Sequence, residues 1–363
     1  MLSLANGHPS PDARDADGLR DAARFASEDA MSWRYGPSDG DPELRERLGA
    51  LSGDDPAAII VTSGSQQGID LAVRSMLDPG DRVGVPEAVY PATLSVLAAN
   101  GVRALVLPED EAGVVPNTLH EAIAKHGLRA LYLTPTFGNP TGVLMPFERR
   151  RALLEACAVA GVTIIEDDPY RDLWFDAPPP PSLWELADDA SDGPLVVSLR
   201  SASKTIAPGL RVGWMLAPPS LRPSIVAVKQ ASDLQTSGLA QRTVASYLAS
   251  GRLPDWMTRV RSLYRSRHDA LIDGLTSAGF DAVPVAGGMF VWVPVPDGVD
   301  PQRLFDRAVA NDVLYAPGAG FAATANGGIP SRFMRLCFVT QEEANVAVAT
   351  GRLGVALGEA RES

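Results

Sequence analysis

Lysine and cysteine are scarce in this sequence of 363 residues, and each scarcity narrows the chemistry that the chain can perform. Lysine occurs only as Lys125, Lys204 and Lys229, although Lys and Arg together number 32. A reaction that needs a lysine amine therefore has three candidates. Cys157 lies in an apolar helical pattern and Cys337 in a strand pattern, so the two cysteines predict buried, reduced thiols. Such thiols indicate a cytoplasmic protein.

Long apolar runs, a basic charge and clustered histidines are also lacking. No apolar run approaches the roughly 18 residues of a membrane helix, and residues 1–15 do not have the pattern of a secretory signal. The net charge of −12 argues against a nucleic-acid partner. The four histidines are scattered and show no metal-ligand spacing. We therefore expect no membrane, nucleic acid or metal as a partner.

Short apolar runs alternate with helical patterns between residues 57 and 217. The strand candidates are 57–61, 82–86, 103–107, 129–133, 162–167, 195–199 and 212–216. Near-continuous apolar strands that alternate with helices indicate an α/β fold with a mainly parallel sheet covered on both faces. Ligands of such sheets bind at the carboxyl ends of the strands, so the residues just past each strand are the candidate site.

The length of the chain predicts two domains around a shared cleft. After about residue 255 the pattern changes to a long helix and then to strands flanked by further helices, which is typical of an α+β domain. We expect a large domain over 32–255 and a small domain over 1–31 and 256–363. A polar turn is predicted at 188–193.

Lys204 ends the segment SASK, which directly follows the predicted strand 195–199. There its amine would project into the cleft, and loss of water and a nearby cation would lower its pKa and make it nucleophilic. Arg211 could be that cation and could also clamp a phosphate. An exposed surface lysine is the alternative interpretation.

Three further motifs follow predicted strands. In TSGSQQ (62–67) a tight turn would aim backbone N–H groups at an anion, although a plain helix cap is the alternative. In EDDPY (166–170) a carboxylate would pair with a buried ligand cation, unless all three are solvated turn residues. The run Gly-Asn-Pro-Thr-Gly (138–142) predicts a rigid turn that places Asn139 at the ligand edge of the sheet.

In their order and spacing these motifs resemble the fold-type-I pyridoxal-5'-phosphate (PLP) enzymes, most of all the aminotransferases that act on α-aminoadipate and kynurenine. The resemblance extends from 5–11 to 334–340. It implies the aspartate aminotransferase fold, in which a large domain with a mainly parallel seven-stranded sheet is joined by a smaller α+β domain. It also implies PLP as cofactor, a Schiff base with Lys204, and transfer of an amino group between an L-α-amino acid and a 2-oxo acid.

The resemblance assigns roles to individual residues around the cofactor. Lys204 would move the substrate α-proton, and Asp167 would pair with the protonated pyridine nitrogen. Tyr170 and Asn139 would hydrogen-bond the 3'-hydroxyl of the ring, and Tyr90 would stack on its face. The phosphate would be held by Ser65, Gln66, Ser201, Ser203 and Arg211.

The resemblance also implies a substrate pocket and a second subunit. Arg335 would bind the substrate α-carboxylate, and Asn139 would lie beside it. Gly7 and His8 would line the outer pocket, and His8 stands where the family has an aliphatic residue. Family members usually carry a helix before this segment, whereas here four residues precede the match. Tyr35 would reach the phosphate of the neighbouring subunit, which implies a homodimer.

Three functions are compatible with these motifs. Aminotransfer is the leading hypothesis. The alternative is PLP-dependent elimination, cyclisation or oxidation of an amino acid in a specialised biosynthetic pathway, because the cofactor stabilises the carbanion and the pocket decides its fate. A PLP-sensing regulator would need a basic helix-turn-helix segment before the matched region, for which we expect no room.

Overall fold

The computed structural model describes residues 1–188, 194–324 and 327–362. Most of the predicted polar turn at 188–193 lies outside these ranges. The α-helices in them are α1 (Ala16–Glu28), α2 (Pro42–Ser52), α3 (Ser65–Met76), α4 (Pro91–Ala99), α5 (Pro116–His126), α6 (Phe147–Ala160), α7 (Leu183–Asp188), α8 (Arg222–Asp233), α9 (Gly238–Ala249), α10 (Leu253–Ser277), α11 (Pro301–Ala310) and α12 (Glu343–Arg361). The strands are β1 (Leu2–Ser3), β2 (Ile59–Thr62), β3 (Arg82–Pro86), β4 (Arg103–Leu107), β5 (Glu109–Asp110), β6 (Gly113–Val114), β7 (Leu128–Leu133), β8 (Thr163–Asp167), β9 (Val196–Ser201), β10 (Gly213–Leu216), β11 (Phe290–Pro294), β12 (Val313–Leu314), β13 (Ala316–Pro317) and β14 (Phe333–Cys337).

Seven strands form the central sheet, and each corresponds to one of the seven predicted strands. Their order is β2-β10-β9-β8-β7-β3-β4. Only β10 runs antiparallel to its neighbours, whereas the remaining pairs are parallel. The prediction of a mainly parallel seven-stranded sheet is therefore confirmed, and the carboxyl ends of β7, β8 and β9 lie side by side.

Helices cover both faces of this sheet because most strand residues on both faces are apolar. Successive residues of one strand pack into separate hydrophobic cores on the two faces of the sheet, as Ile164 and Ile165 of β8 do. Ile165 packs on the face covered by α3, α4 and α8, and Ile164 on the face covered by α5, α6 and α7. Residues that follow a strand therefore alternate between two separate environments.

The remaining chain builds smaller sheets beside the carboxyl edge of the central one. Strands β11, β14 and β13 form an antiparallel sheet, and β1 pairs in parallel with β12. The β1–β12 pair carries the N-terminal segment to the site. The predicted boundary at 255/256 falls inside α10, and α1 packs against α9 across the predicted division. The two-domain division stays a prediction. None of the described helices has the length and apolar character needed to cross a membrane.

Candidate active site

A cavity of about 340 Å³ lies at the carboxyl edge of the central sheet. It is lined by Gly7, Ser65, Gln66, Tyr90, Thr134, Asn139, Asp167, Pro169, Tyr170, Ser201, Ser203, Lys204, Pro208, Arg211 and Arg335. The structure thus brings together every predicted cofactor residue except Tyr35, and every predicted substrate residue except His8. These side chains come from strand ends far apart in the sequence, as expected for a parallel sheet.

Lys204 extends into this cavity from the turn after β9. Its Nζ donates a hydrogen bond to the carbonyl oxygen of Gly7 at 2.9 Å and lies 5.7 Å from the ring centre of Tyr170. Burial lowers the pKa of Lys204, and the positive charges of Arg335 and Arg211 act in the same direction. A lowered pKa raises the fraction of neutral amine, which is the nucleophilic and proton-accepting form.

Asp167, the last residue of β8, has one carboxylate oxygen held and one free. Its Oδ2 accepts a hydrogen bond from the hydroxyl of Tyr132 at 2.7 Å, whereas its buried Oδ1 finds no partner in the described ranges. Burial raises the pKa of Asp167 to about 6. An unpaired, buried acceptor beside the amine of Lys204 fits a protonated ring nitrogen, which would supply both a hydrogen bond and a positive charge.

The sequence motifs did not reveal Tyr132. It lies in β7 opposite Ile165 of β8, on the same sheet face as Asp167 two residues later. The sequence feature that could have revealed it is a tyrosine inside an otherwise apolar strand, because a buried tyrosine hydroxyl needs a hydrogen-bond partner.

The turn before α3 and the turn after β9 together form an anion cradle. Gly64 has φ of +88°, and a Cβ at this position would lie 2.4 Å from the guanidinium of Arg211. The glycine therefore lets Arg211 approach the N-terminus of α3, which begins at Ser65. The Nη1 of Arg211 also donates to the Ser203 hydroxyl at 3.4 Å. Helix N–H groups, a guanidinium and hydroxyl groups are the donors that a phosphate prefers.

Arg335 forms the second cationic pole of the cavity. Its Nη1 donates to Asn139 Oδ1 at 2.7 Å and its Nη2 to the carbonyl of Ala5 at 2.5 Å, while its Nε has no partner among the residues that the structure covers. The guanidinium lies over the rings of Phe290 and Phe321, at 4.2 and 4.7 Å. Burial lowers the pKa of Arg335, and a carboxylate ligand would compensate for that burial.

Two tyrosines complete the walls of the cavity. Tyr90 precedes α4, and Tyr170 packs edge-on against Phe290 at 5.8 Å between ring centres. Burial, followed by the negative charge of Asp167, raises the pKa of both phenols. Both therefore stay protonated at neutral pH and can donate a hydrogen bond.

The three carboxylates of EDDPY have different tasks. Glu166 is buried and accepts hydrogen bonds from the backbone N–H groups of Leu183 at 2.7 Å and Trp184 at 3.2 Å, so it caps the start of α7. Asp168 points away from the cavity that Asp167 lines, because successive strand residues face opposite sides of the sheet. Of the three, Asp167 alone lines the cavity with Lys204.

Arg150 fixes the loop that carries Asn139, and the sequence motifs did not reveal it either. Its fully buried guanidinium donates to the carbonyls of Pro135 and Met145, each at 3.0 Å, and to the Thr136 hydroxyl at 2.9 Å. These bonds tie both ends of the loop to α6. The helical run around Arg150 contains neighbouring arginines, so the sequence alone does not show which one turns inward.

The two remaining predicted residues lie outside the cavity. His8 is exposed, and its Nδ1 lies 3.3 Å from the carbonyl oxygen of Pro9. Tyr35 is 85% exposed. The roles assigned to them stay predictions.

Comparison with known proteins agrees with this geometry. Residues 1–350 match the model of the family "aminotransferase class I and II". The chain is 34% identical to a 2-aminoadipate transaminase of Thermus thermophilus, over 98% of this chain and 90% of that protein. A solved structure of an alpha-aminoadipate aminotransferase from Thermus thermophilus, complexed with N-(5'-phosphopyridoxyl)-L-leucine, superposes with a TM-score of 0.91 at 34% identity, over 99% of this chain and 92% of that one. The chain is also 30% identical to an uncharacterized HTH-type transcriptional regulator of Bacillus subtilis, over 88% of this chain and 66% of the regulator.

Proposed function

Because the chain belongs to the aminotransferase class I and II family, it is a PLP-dependent transaminase of fold type I, and we propose that Lys204 binds the cofactor and moves the substrate α-proton. The observation that carries this proposal is that one cavity contains both a desolvated lysine amine and the buried Oδ1 of Asp167, which has no hydrogen-bond partner among the described residues. The Lys204 amine and the Asp167 carboxylate offer what the aldehyde and ring nitrogen of PLP require. The predictions of family, fold and cofactor are confirmed.

The polar residues predicted from the sequence then have separate tasks in the reaction. PLP, when bound, supplies the electron sink that makes the α-proton of an amino acid removable. Asp167 holds a positive charge at the ring nitrogen, and Tyr170 and Asn139 donate to the 3'-oxygen. Lys204, as a neutral amine, would accept the α-proton and deliver it to the carbon that carried the aldehyde of PLP, which is general base and acid catalysis by one group.

We propose that separate groups of the cavity would hold the phosphate and the substrate carboxylate. Ser65, Gln66, Ser201, Ser203 and Arg211 would hold the phosphate, and the buried Oε1 of Gln66 has no hydrogen-bond partner in the described part of the chain. Arg335 would bind the α-carboxylate, with Gly7 beside it. Because this interaction involves only atoms common to all α-amino acids, it recognises the class of substrate. We propose that His8 influences the choice of side chain.

A homodimer would complete the site. The proposal is supported by exposed apolar side chains around Tyr35, namely Phe25, Met31 and Trp33, which are 57%, 47% and 65% exposed. Exposed apolar groups in one region are typical of an interface. In the dimer, Tyr35 of the partner subunit would donate its hydroxyl to the phosphate.

Subunit complementation tests this arrangement. Tyr35→Phe and Lys204→Ala variants are mixed under conditions that allow subunit exchange. If Tyr35 acts across the interface, each mixed dimer contains one intact site, so transamination recovers towards a fraction of the wild-type rate. An active monomer in sedimentation, or proven exchange without recovery, would contradict the shared site. The test requires that Tyr35→Phe alone impairs activity, which is measured first.

We further propose a cytoplasmic location. Cys157 and Cys337 are both buried and unpaired, and reduced thiols are typical of a reducing compartment. Export of the protein with a cleaved leader, detected by fractionation and N-terminal sequencing of the mature chain, would contradict this.

The transamination itself is tested with a panel of L-amino acids added singly to the holoenzyme. We expect at least one amino acid to convert the cofactor to its amine form and to release one equivalent of 2-oxo acid per chain. A 2-oxo acid added afterwards should restore the original spectrum. Because the chain is also similar to a transcriptional regulator, a change in the cofactor spectrum is not sufficient. Release of the oxo acid is the readout that demonstrates transamination. Oxygen consumption, or ammonia release without an amine form of the cofactor, would indicate elimination or oxidation instead.

A further inference from the structure

A second cavity of about 360 Å³ lies on the opposite face of the sheet's carboxyl edge from the active site. Its apolar wall comes from helices α2, α9 and α10, through Leu48, Leu51, Leu248, Leu253 and Met257. The two cavities touch through Pro169 and Ser201, which line both. A ligand here would lie directly behind the residues that bind the cofactor.

Three polar side chains are aligned across the floor of this cavity. Arg200 of β9 and Trp214 of β10 are directly paired across the antiparallel ladder, so their side chains point to the same face. Asp168, just past β8, is the next polar residue across the sheet. The alternation that directs Asp167 towards the active site directs Asp168 towards this second cavity, which it lines.

Each of these three residues has hydrogen-bonding capacity that the protein leaves unused. Arg200 is 6% exposed, and within the described ranges its guanidinium makes no ion pair and only a long 3.5 Å contact to the Ser198 hydroxyl. Asp168 Oδ2 lies 3.3 Å from Arg171, but its buried Oδ1 is unpartnered there, as is the indole Nε1 of Trp214. Buried polar groups without partners are costly and rare, so a bound group is expected to satisfy them.

Arg171, Glu185 and Arg261, which also line the cavity, are already engaged. Arg171 bonds Glu185 at 3.1 Å in addition to Asp168. Arg261 donates to the carbonyl of Asp172 at 3.0 Å and stacks on the ring of Trp174 at 4.1 Å. The carboxylate of Asp172 also lines this cavity and lies near the positive charges of Arg171 and Arg200. What remains for a ligand is one guanidinium, one indole N–H, one oxygen of Asp168 and the carboxylate of Asp172. This set has one positive and one negative pole, and therefore matches a molecule that carries both charges.

We propose that this cavity is a second binding site, distinct from the active site, for a small zwitterion with an apolar side chain. Its carboxylate binds the Arg200 guanidinium and the Trp214 indole N–H, and its ammonium group donates to Asp168 Oδ1. Its aliphatic part packs on the apolar wall formed by α2, α9 and α10. The volume suits a ligand of amino-acid size. Asp168 thus resembles Asp167 on the other face of the sheet: each carboxylate has one oxygen in contact with a polar group and one oxygen without a partner among the described residues.

The test uses N,N-dimethyl-L-leucine and isothermal titration of the holoenzyme. This probe is a zwitterion with one N–H donor, and its tertiary amine cannot condense with the aldehyde of PLP. We expect one bound probe per chain. Arg200→Met should weaken binding by about tenfold or more, because it removes one partner of a desolvated charge pair. Trp214→Phe, which removes only the N–H donor, should weaken it severalfold.

Two matched comparisons separate this site from the active site. N,N,N-trimethyl-L-leucine has the same charges but no N–H donor, so it should bind at least about tenfold more weakly. Arg335→Met should leave binding of the dimethyl probe unchanged. Circular dichroism and the cofactor absorbance of each variant report its folding. If Arg200→Met does not fold, Trp214→Phe and the trimethyl analogue decide the question.

Two results would overturn the proposal. If the probe does not bind the wild-type holoenzyme, the cavity holds water only. If Arg335→Met abolishes binding while Trp214→Phe and Arg200→Met retain it, the probe occupies the active site.

Discussion

Lys204 is partly buried and Lys229 fully buried, and burial lowers the pKa of both amines, yet their surroundings differ. Lys229 Nζ lies 3.0 and 3.1 Å from the two carboxylate oxygens of Asp233, and 3.2 Å from Gln67 Oε1 and Thr236 Oγ1. Its three N–H donors are therefore saturated. Among the described residues Lys204 has one acceptor, the carbonyl of Gly7, and its amine otherwise faces a cavity.

This difference shows what distinguishes a reactive lysine from a structural one. Burial alone does not, because it lowers the pKa of both amines. A carboxylate that accepts hydrogen bonds from the amine, as Asp233 does, stabilises the charged ammonium form. In that form the nitrogen has no lone pair available for reaction. Free hydrogen-bonding capacity next to a cavity is the informative feature, and the same criterion selects Asp167 among neighbouring carboxylates. Lys125, on an exposed face of α5, satisfies neither condition.

The largest expected effect separates the two lysines directly. Lys204→Met should abolish transamination and the visible absorbance of the bound cofactor, because it removes the only amine in the cavity among the described residues. Lys229→Met should keep both, but should lower the free energy of unfolding by about 1–3 kcal/mol, because the charged hydrogen bonds between the buried amine and the partly exposed Asp233 are lost. Steady-state rates, absorbance spectra and denaturant titrations measure these effects. An inactive but stable Lys229→Met variant would reverse the assignment.

The carboxylate next to each lysine provides the second comparison. Asp167→Asn should slow α-proton removal at least about 10²-fold, or about 2.7 kcal/mol, because a neutral amide does not keep the ring nitrogen protonated. Asp233→Asn should change stability and leave the rate close to wild type. Single-turnover kinetics with a reactive amino acid measure the step. Near-normal turnover of Asp167→Asn would mean that another group supports the ring nitrogen.

Arg335 extends the comparison to the substrate. Arg335→Met should raise KM for every amino acid roughly 30-fold or more, because the desolvated substrate carboxylate loses its partner. This factor corresponds to a loss of about 2 kcal/mol of binding free energy. In the proposed role its side chain would contact only groups common to all α-amino acids, so the loss should be uniform across a donor panel. A loss that depends strongly on the side chain would assign Arg335 to specificity instead.

The pH dependence of stability provides a smaller effect. In the cofactor-free protein the folded pKa of Asp167 is about 6, above its unfolded value of 3.8. Between these values the folded state binds more protons, so this group makes the free energy of unfolding fall as pH rises. The slope is at most about 1.4 kcal/mol per pH unit. Asp167→Asn should remove this contribution, as measured by urea titrations of the cofactor-free proteins at pH 4 to 6.5. An unchanged slope would contradict the raised pKa.

The smallest expected effect concerns His8. Because His8 is exposed beside Gly7, outside the cavity lining, His8→Leu should change the ranking of amino donors by a few-fold and leave the rate with the best donor nearly unchanged. Kinetics on the donor panel measure both. A uniform loss with all donors would instead place His8 in the shared chemistry.

The sequence predicted the sheet well because most residues of its strands are buried and apolar. The seven predicted strands all exist, and residues at or just past their ends, such as Asp167 and Lys204, meet in one cavity. Features that depend on register or long-range contact were not predictable. To predict the bond of Tyr132 to Asp167 one must know the alignment of β7 with β8. To predict the role of Arg150 one must know which face of α6 points inward. The bond from Lys204 to the Gly7 carbonyl depends on the pairing of β1 with β12.

The central claim, that Lys204 is the residue that binds PLP, is tested most directly by chemical trapping. Borohydride reduction of the holoenzyme fixes the cofactor to the amine that holds it, and mass spectrometry of the digested protein locates the added pyridoxyl phosphate. The account predicts one modification per chain, on Lys204, in the peptide that contains SASK. Modification of Lys229 or Lys125 with Lys204 unmodified would contradict it.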